Sequence, residues 1–596
     1  MEERELRELI GEVKAGRLSR RGFVQMMAGL GLTAPLAAQM LASAGVAQAQ
    51  GKLVYKPGKK GGGGTLKTLW WQGATLLNPH FAVGTKDQDG SRIFYEPLAS
   101  WDPDGNLSPV LASEIPTVAN GGLAKDGKSV VWKLKKGVQW HDGKPFTADD
   151  AVATWEFAAD PASATYDVAT YKDIKVEKID SHTIRVVFQK PTPFWADAFV
   201  GVRGMIIPKH LFDGFKGAKS REAPANLKPV GTGPYRFVDF KPGDIVKGEL
   251  NPNYHMPNRP FFDAIEMKGG GDAPSAARAV LQTGEFDYAW NLQVEDEVLK
   301  RFEQGGKGSV DIVAGGDIEH IQCNFTDPGK DVDGERSSLK MKHPYLSDPA
   351  VRQALGLLVD RGSVQEQIYG RTGIVTANFL NAPERFRSKV TKWEFSVDKA
   401  NQILDAAGWK RGGDGIREKG GVKLKMVFQT SINAPRQKTQ QVIKQAATKA
   451  GIDIEIKSVT ASVYFSSDPA NPDTYSHFYT DIQMYTTTQT QPDPEIFMLQ
   501  FTSWEAASKE NKWSGRNITR WRSEEYDKLY RAAEGELDAV KRAALYVKMN
   551  ELVIGNGVVI PVVWRPRVRA IAKTLKLEQS GWDSDFWNLQ NWYREG

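Results

Sequence analysis

Cysteine is nearly absent from this chain: among 596 residues only Cys323 carries a thiol. That excludes an intramolecular disulfide and any zinc cluster built on cysteines. Histidine is scarce as well, eight in all, and the nearest two, His320 and His343, stand 23 positions apart. No short-spaced metal motif such as H-E-x-x-H is therefore present, and no G-x-S-x-G nucleophile elbow occurs. Charge of one sign is not in excess: 78 basic and 72 acidic residues leave a net +6, spread along the chain. Phosphate binding needs concentrated cations, so nucleic acid is not an expected partner. The long apolar runs of a polytopic membrane protein are missing. The hydrophobic share of 41% and charged share of 25% match soluble globular chains. A chain of this length accommodates about two to four domains.

One well-known pattern is present but out of context. Gly122-Leu-Ala-Lys-Asp-Gly127-Lys128-Ser129 fits the P-loop expression. A P-loop needs a strand before it and a helix after it, so that backbone amides and a helix dipole converge on phosphate. Here a Gly-rich turn precedes and the strand-like Val130-Val-Trp-Lys-Leu134 follows, so Asp126-Gly127 reads as a hairpin turn. Acidic residues are plentiful, yet nothing singles out two of them as an acid/base pair. No catalytic residue, metal or cofactor is expected.

The first 49 residues read as an address. Arg20-Arg21 is followed by Phe23, then by a Gly/Ala-rich, weakly apolar run from Met26 to Val46 and by Ala47-Gln48-Ala49. This order resembles a twin-arginine export signal with an A-x-A cleavage site, which places the mature chain in the periplasm from near Gln50. Gly29, Gly31, Pro35, Gln39 and Gly45 make the run a poor stop-transfer span. The segment to 64, with Gly58-Lys-Lys-Gly-Gly-Gly-Gly64, reads as a flexible linker.

In the body, strands are predicted at 65–71, 130–135 and 183–189. Thr147-Ala-Asp-Asp150 is a capping-box start for a helix over 149–159. Pro349 after Ser347-Asp348 starts another helix, with Val351, Ala354, Leu355 and Leu358 on one face. Further helices are predicted at 398–407, 436–450, 523–534 and 537–554. Strands at 422–428 and 452–459 around the 436–450 helix give a β-α-β unit, hence a mixed α/β fold. Trp140 and Phe146 are expected to pack under the capped helix, and Arg352 with Asp360 to form a helix-face charge pair.

Six blocks then appear in order: Tyr95-Glu-Pro-Leu-Ala-Ser-Trp101, Leu134 through Asp150, Pro229-Val-Gly-Thr-Gly-Pro-Tyr235, Asp348-Pro-Ala-Val-Arg-Gln-Ala354 with Asp360-Arg361, Leu404-Asp-Ala-Ala-Gly-Trp409, and Gln491-Pro-Asp-Pro494. Together they resemble the family 5 extracellular solute-binding proteins, periplasmic receptors of ATP-binding-cassette (ABC) importers for peptides, nickel, opines and oligosaccharides. The resemblance implies a two-lobed periplasmic-binding-protein fold with an extra subdomain and a ligand cleft between the lobes. It implies a monomer that captures a solute by hinge closure and hands it to a membrane permease. By these blocks lobe I covers 65–95, 229–322 and 556–596, its extra subdomain 96–228, and lobe II 323–555. The crossings fall near 321–325 and 554–562.

The same resemblance puts ligand contacts at strand ends facing the cleft: Trp70, Trp71 and Gln72, then Trp290, then His320 and Asn324 at the crossing, and from lobe II Tyr485, Thr487, Gln489 and Thr490. In peptide-binding members an aspartate four residues before the last proline of the Asp-Pro block pairs the peptide amine, because a buried ammonium needs a carboxylate. Here that position is Thr490, and the whole run Tyr485-Thr-Thr-Thr-Gln-Thr-Gln491 is neutral. Either a peptide or a neutral polar solute, sugar or opine-like, fits such a cleft, with the tryptophans stacking on flat faces unless they are core. The competing classes are an exported glycoside hydrolase, which would turn over its ligand, and a periplasmic chaperone, which would expose a large apolar patch.

Overall fold

A computed structural model describes residues 53–595. The export signal read at 1–49 lies outside the described residues. From Tyr55 onward the chain is a single unit, built on two large sheets and a smaller third.

In chain order the strands that matter are β1 (Thr65–Trp70), β2 (Ser129–Lys133), β3 (Ile174–Asp180), β4 (Thr183–Phe188), β5 (Tyr235–Lys241), β6 (Ile245–Leu250), β7 (Ala264–Gly269), β8 (Tyr288–Ala289) and β9 (Gly308–Val313). After them come β10 (Ile318–Cys323), β11 (Lys425–Ser431), β12 (Asp453–Val459), β13 (Ile482–Thr487), β14 (Val559–Trp564) and β15 (Arg567–Ala572). The first sheet has the order β9-β15-β8-β1-β7-β6-β5 and the second β12-β11-β13-β10-β14. The third, β2-β4-β3, lies inside the 96–228 insertion.

Helices α1 (Thr85–Arg92), α2 (Ala148–Ala159), α3 (Ala273–Leu281), α4 (Pro349–Leu357), α5 (Val397–Ala406), α6 (Ala434–Lys449), α7 (Glu524–Ala533) and α8 (Ala539–Gly555) pack around them. Local chemistry sets their starts. Thr147 and Asp150 form the reciprocal capping box of α2, and Asp348 caps α4 with Pro349 in its first turn. The β11-α6-β12 unit is present, its two strands parallel from Lys425 opposite Asp453 to Ser431 opposite Val459. Trp140 and Phe146 are buried together, rings edge-on at 5.9 Å. The P-loop-like stretch is a tight reversal: Gly127 sits at φ +68° and Val131 N–H donates to Gly122 O at 2.7 Å.

Three expectations are corrected. The chain passes between the two large sheets at 314–317 and 565–566, because β10 pairs with β13 and β14 and all three belong to the second sheet. Both crossings thus fall outside the expected 321–325 and 554–562, and β10 is central to its sheet rather than a connector. Arg352 and Asp360 are not a pair: Arg352 donates to Asn556 O and Leu346 O, while Asp360 caps the helical turn at Ser363. The glycines at 61–64 are no free tether. Gly61 and Gly63 donate to Pro260 O and Phe261 O at 2.9 and 3.0 Å, and Asp263 accepts from Gly62 and Gly64. Glycine is required by that approach, since a Cβ on Gly63 would lie 2.4 Å from the Phe261 ring.

The two crossings are tied together. Trp564 Nε1 donates to Gly315 O at 2.9 Å, and Arg565 N–H to Asp317 O at 3.1 Å. Among the described residues no helix is long and apolar enough to cross a membrane.

Candidate functional site

A cavity of about 1090 Å³, open solvent at its mouth included, lies where strand ends of the two large sheets face each other. The carboxyl ends of strands in open α/β sheets are where ligands usually sit. Gln72 follows β1, Trp290 and Asn291 follow β8, and Arg567 and Arg569 project from β15; all line it. Opposite them stand Arg436 from the first turn of α6, Phe465, Tyr475, and the run from Tyr485 to Thr488 with Thr490. A second compartment of about 640 Å³ shares Tyr166, Tyr475, Tyr485, Thr487 and Thr490 and adds Gln489 and Arg516.

The first-sheet wall is a buried charge network. Residues alternate along a strand, so Arg567 and Arg569 share one face of β15 while Val568 and Ala570 take the other and enter the core. Arg569 Nε bonds Asp585, which also accepts from Tyr288 Oη at 2.6 Å. Asp89 accepts from Trp70 Nε1 at 3.0 Å, Ser584 Oγ at 2.6 Å and Asp585 N–H at 3.1 Å. Burial, reinforced by the Asp585 charge, still pushes its carboxyl up to about 7. Burial likewise lifts Asp583 to about 6 even though Trp101 and Ser584 N–H groups donate to it. It raises Asp317 as well, against the charge of Arg567 3.5 Å away.

At the junction of the walls Glu319 is fully buried on β10. It accepts from Arg436 Nε at 2.7 Å, Arg436 Nη2 at 3.2 Å, Gln293 Nε2 at 2.9 Å and the Thr486 hydroxyl. Burial alone would raise its pKa, but the Arg436 charge and these bonds hold it below the ordinary carboxylate value. Hydrogen bonds join the two sides around the cavity: Asn433 Nδ2 to Gln293 O at 2.9 Å, Arg565 Nη2 to Asn291 Oδ1 at 2.5 Å, and Ser467 Oγ to Asp87 Oδ2 at 2.9 Å. The two sides are therefore closed on each other.

Of the residues expected at the ligand, Gln72, Trp290, Tyr485, Thr487, Gln489 and Thr490 line the two compartments. The other four do not. Trp70 is core, stacked on Trp290 and Tyr288 at 5.9 and 5.4 Å. Trp71 turns its indole N–H to Asn291 O at 3.0 Å, fixing the loop that carries Trp290. His320 is buried between Phe379 and Tyr485, where burial lowers its pKa to about 4 and keeps it neutral. Asn324 holds the chain at Phe478 O and Thr480 O, at the far end of β10. His320 lies within β10, whose residues are all buried, and Asn324 follows its last residue. Asp493 is engaged by Arg542.

Arginines 565, 567 and 569 were not anticipated. The signal was legible: three cations at alternate positions in Arg565-Pro-Arg-Val-Arg569, beside apolar strand residues, cannot all face solvent or core. Among the described residues no group of three or more His, Cys, Asp or Glu side chains is arranged to hold a metal ion.

Comparison with known proteins bears on this geometry. The sequence model of the bacterial extracellular solute-binding proteins, family 5 (middle region), matches residues 106–509. The oligopeptide-binding protein AppA of Bacillus subtilis (strain 168) is 27% identical over 533 residues, covering 87% of this chain and 89% of AppA. The solved structure of that protein with a nonapeptide superposes with a TM-score of 0.78, covering 91% of this chain and 100% of that one at 24% identity. NikZ of Campylobacter jejuni, solved with Ni(L-His), superposes with a TM-score of 0.74 over 89% of this chain and 99% of that one, at 23% identity.

Proposed function

Because this chain belongs to the family 5 extracellular solute-binding proteins, with the two-lobed fold of that family, we propose that it works as the solute receptor of an ABC importer whose cargo is a short peptide or a peptide-sized polar solute. A receptor of this kind binds and releases its ligand unchanged. The observation that carries the reading is the cavity itself. It lies between two sheets joined by just two crossing segments, and both sheets supply its walls. A ligand touching both walls favours the closed form by its differential affinity for the two states.

The similarity to an oligopeptide-binding relative supports a peptide. The neutral hydrogen-bonding run, with Thr487, Gln489 and Thr490 on the cavity wall, supports a neutral polar solute as the second reading. Export through the twin-arginine pathway, action as a monomer in the periplasm and delivery to an inner-membrane permease complete the proposal.

The test is native mass spectrometry of the protein from a periplasmic extract, with release and identification of the bound molecule. Small-angle scattering of the stripped protein, before and after the molecule is added back, then reads closure. A smaller radius of gyration with the ligand recovered intact is expected. An unchanged radius at saturation defeats hinge closure, and a chemically altered ligand defeats the receptor reading.

A further inference from the structure

The arginines of the cleft are not equivalent. Arg436, Arg567 and Arg569 each meet a carboxylate: Glu319 at 2.7 Å, Asp317 at 3.5 Å, and Asp585. Arg565 does not. Among the described residues no carboxylate oxygen lies within 4.0 Å of its guanidinium. It is 4% exposed, and its side chain donates to two neutral oxygens, Thr486 Oγ1 at 3.2 Å and Asn291 Oδ1 at 2.5 Å. The Glu319 carboxylate cannot serve it directly, because its roughly four acceptor positions are already taken by Arg436, Gln293 and Thr486. Asp317, the other acid acting on Arg565, is turned toward Arg567.

Arg436 therefore takes the Glu319 carboxylate at the junction, and the positive charge of Arg565 stays buried without an ion partner. Burying an unpaired charge is costly enough that native proteins supply a partner. Arg516, the second arginine here with no carboxylate in contact, differs because its guanidinium lies over the Tyr166 ring at 4.2 Å. Arg565 lines the cavity, so the partner can come from the ligand. Its position adds a second point. It begins the crossing at 565–566 and touches Asn291 from one lobe and Thr486 from the other, so an anion seated on it acts on both. At the other end of the binding run Thr490 offers no charge to an ammonium.

We propose that Arg565 is the anchor for a carboxylate of the cargo, and that the cleft selects short peptides by their free carboxyl end, without needing a charged amino end. This rests on the peptide-class reading above. The guanidinium–carboxylate pair supplies two parallel hydrogen bonds between opposite charges, where a C-terminal amide offers one neutral carbonyl acceptor.

The experiment is calorimetric titration of the whole stripped protein at pH 7 with N-acetyl-trialanine, trialanine and trialanine amide. The first two are expected to bind within about tenfold of each other, and the amide roughly 10- to 100-fold more weakly, the range for losing a charged hydrogen bond. Arg565→Gln should reduce the acid-over-amide preference to about threefold or less, while Arg565→Lys, which keeps the charge, should retain most of it. A purely structural role would lower all affinities together and leave that ratio alone. If Arg565→Gln does not fold, the wild-type ratio decides. An amide that binds wild type as tightly as the acid, or a preference that survives Arg565→Gln, overturns the assignment and leaves the peptide receptor standing. Silence from all three probes instead removes the peptide reading, and the inference with it.

Discussion

The two walls of the cleft are built from opposite materials. The second-sheet wall presents tyrosines, Phe465 and a threonine-rich run at the end of β13, neutral except for Arg436. The first-sheet wall presents Arg567, Arg569, Asp89, Asp583 and Asp585, almost all buried and bonded to one another. A neutral wall can rearrange around different ligands at low cost, because hydroxyls and amides find new partners easily. A buried ion network cannot, since each charge depends on its neighbour. The contrast assigns adaptable contact to one lobe and rigid electrostatic framing to the other, with Arg565 and Glu319 at the seam.

Three changes would break or sharpen that contrast. The largest effect should come from Arg569→Met, which leaves Asp585 and its buried neighbours without their cation. Urea unfolding should show a loss of roughly 3–5 kcal/mol, whereas Thr487→Val on the opposite wall should stay within about 1 kcal/mol. Similar losses from the two would erase the distinction between the walls.

The next effect is a pH dependence. Asp89, with its folded pKa raised to about 7, holds a proton in the folded state that the unfolded chain releases near its ordinary value. Between about pH 4 and pH 7 the folded state therefore binds more protons than the unfolded one, and Asp89 makes stability fall as pH rises through that window. Its contribution levels off above the folded pKa. Measured against Asp89→Asn, wild type should lose stability progressively across the window. A difference that is flat with pH, or that rises, would contradict the assignment.

The smallest effect concerns the neutral wall. Thr490→Asp puts an acid where the family resemblance implies a partner for a peptide amine. Titration should find trialanine amide binding about tenfold more tightly, the scale of one exposed-to-buried charged hydrogen bond, with N-acetyl-trialanine not improved. Equal changes for both probes would mean that Thr490 does not face the amino end.

Much of the scaffold is legible in the sequence. The capping box at Thr147 and Asp150, the Asp348-Pro349 helix start and the β11-α6-β12 unit all rest on short-range chemistry, and each element lies within a few residues of its expected place. Six of the ten expected ligand residues line the two compartments for a related reason. Gln72, Trp290 and the 485–490 run follow strand ends, which is where a two-sheet fold opens. Trp70, Trp71, His320 and Asn324 do not line the compartments, because a strand end offers both cavity-facing and core-facing positions and the choice depends on the neighbouring strand. The glycine run misled for the opposite reason. Composition alone suggests freedom, but bare backbone N–H groups are also what a neighbouring loop can bind closely.

The α/β character, the family and the neutral chemistry of one wall are legible from residue types at short spacing. The folded chain alone shows where it crosses between sheets, that Asp89 meets Ser584 and the Asp585 N–H nearly five hundred residues away while Asp585 pairs with Arg569, and that Arg565 is left without a carboxylate. Ion pairing of that kind is a sum over neighbours distant in the chain, and no local pattern carries it.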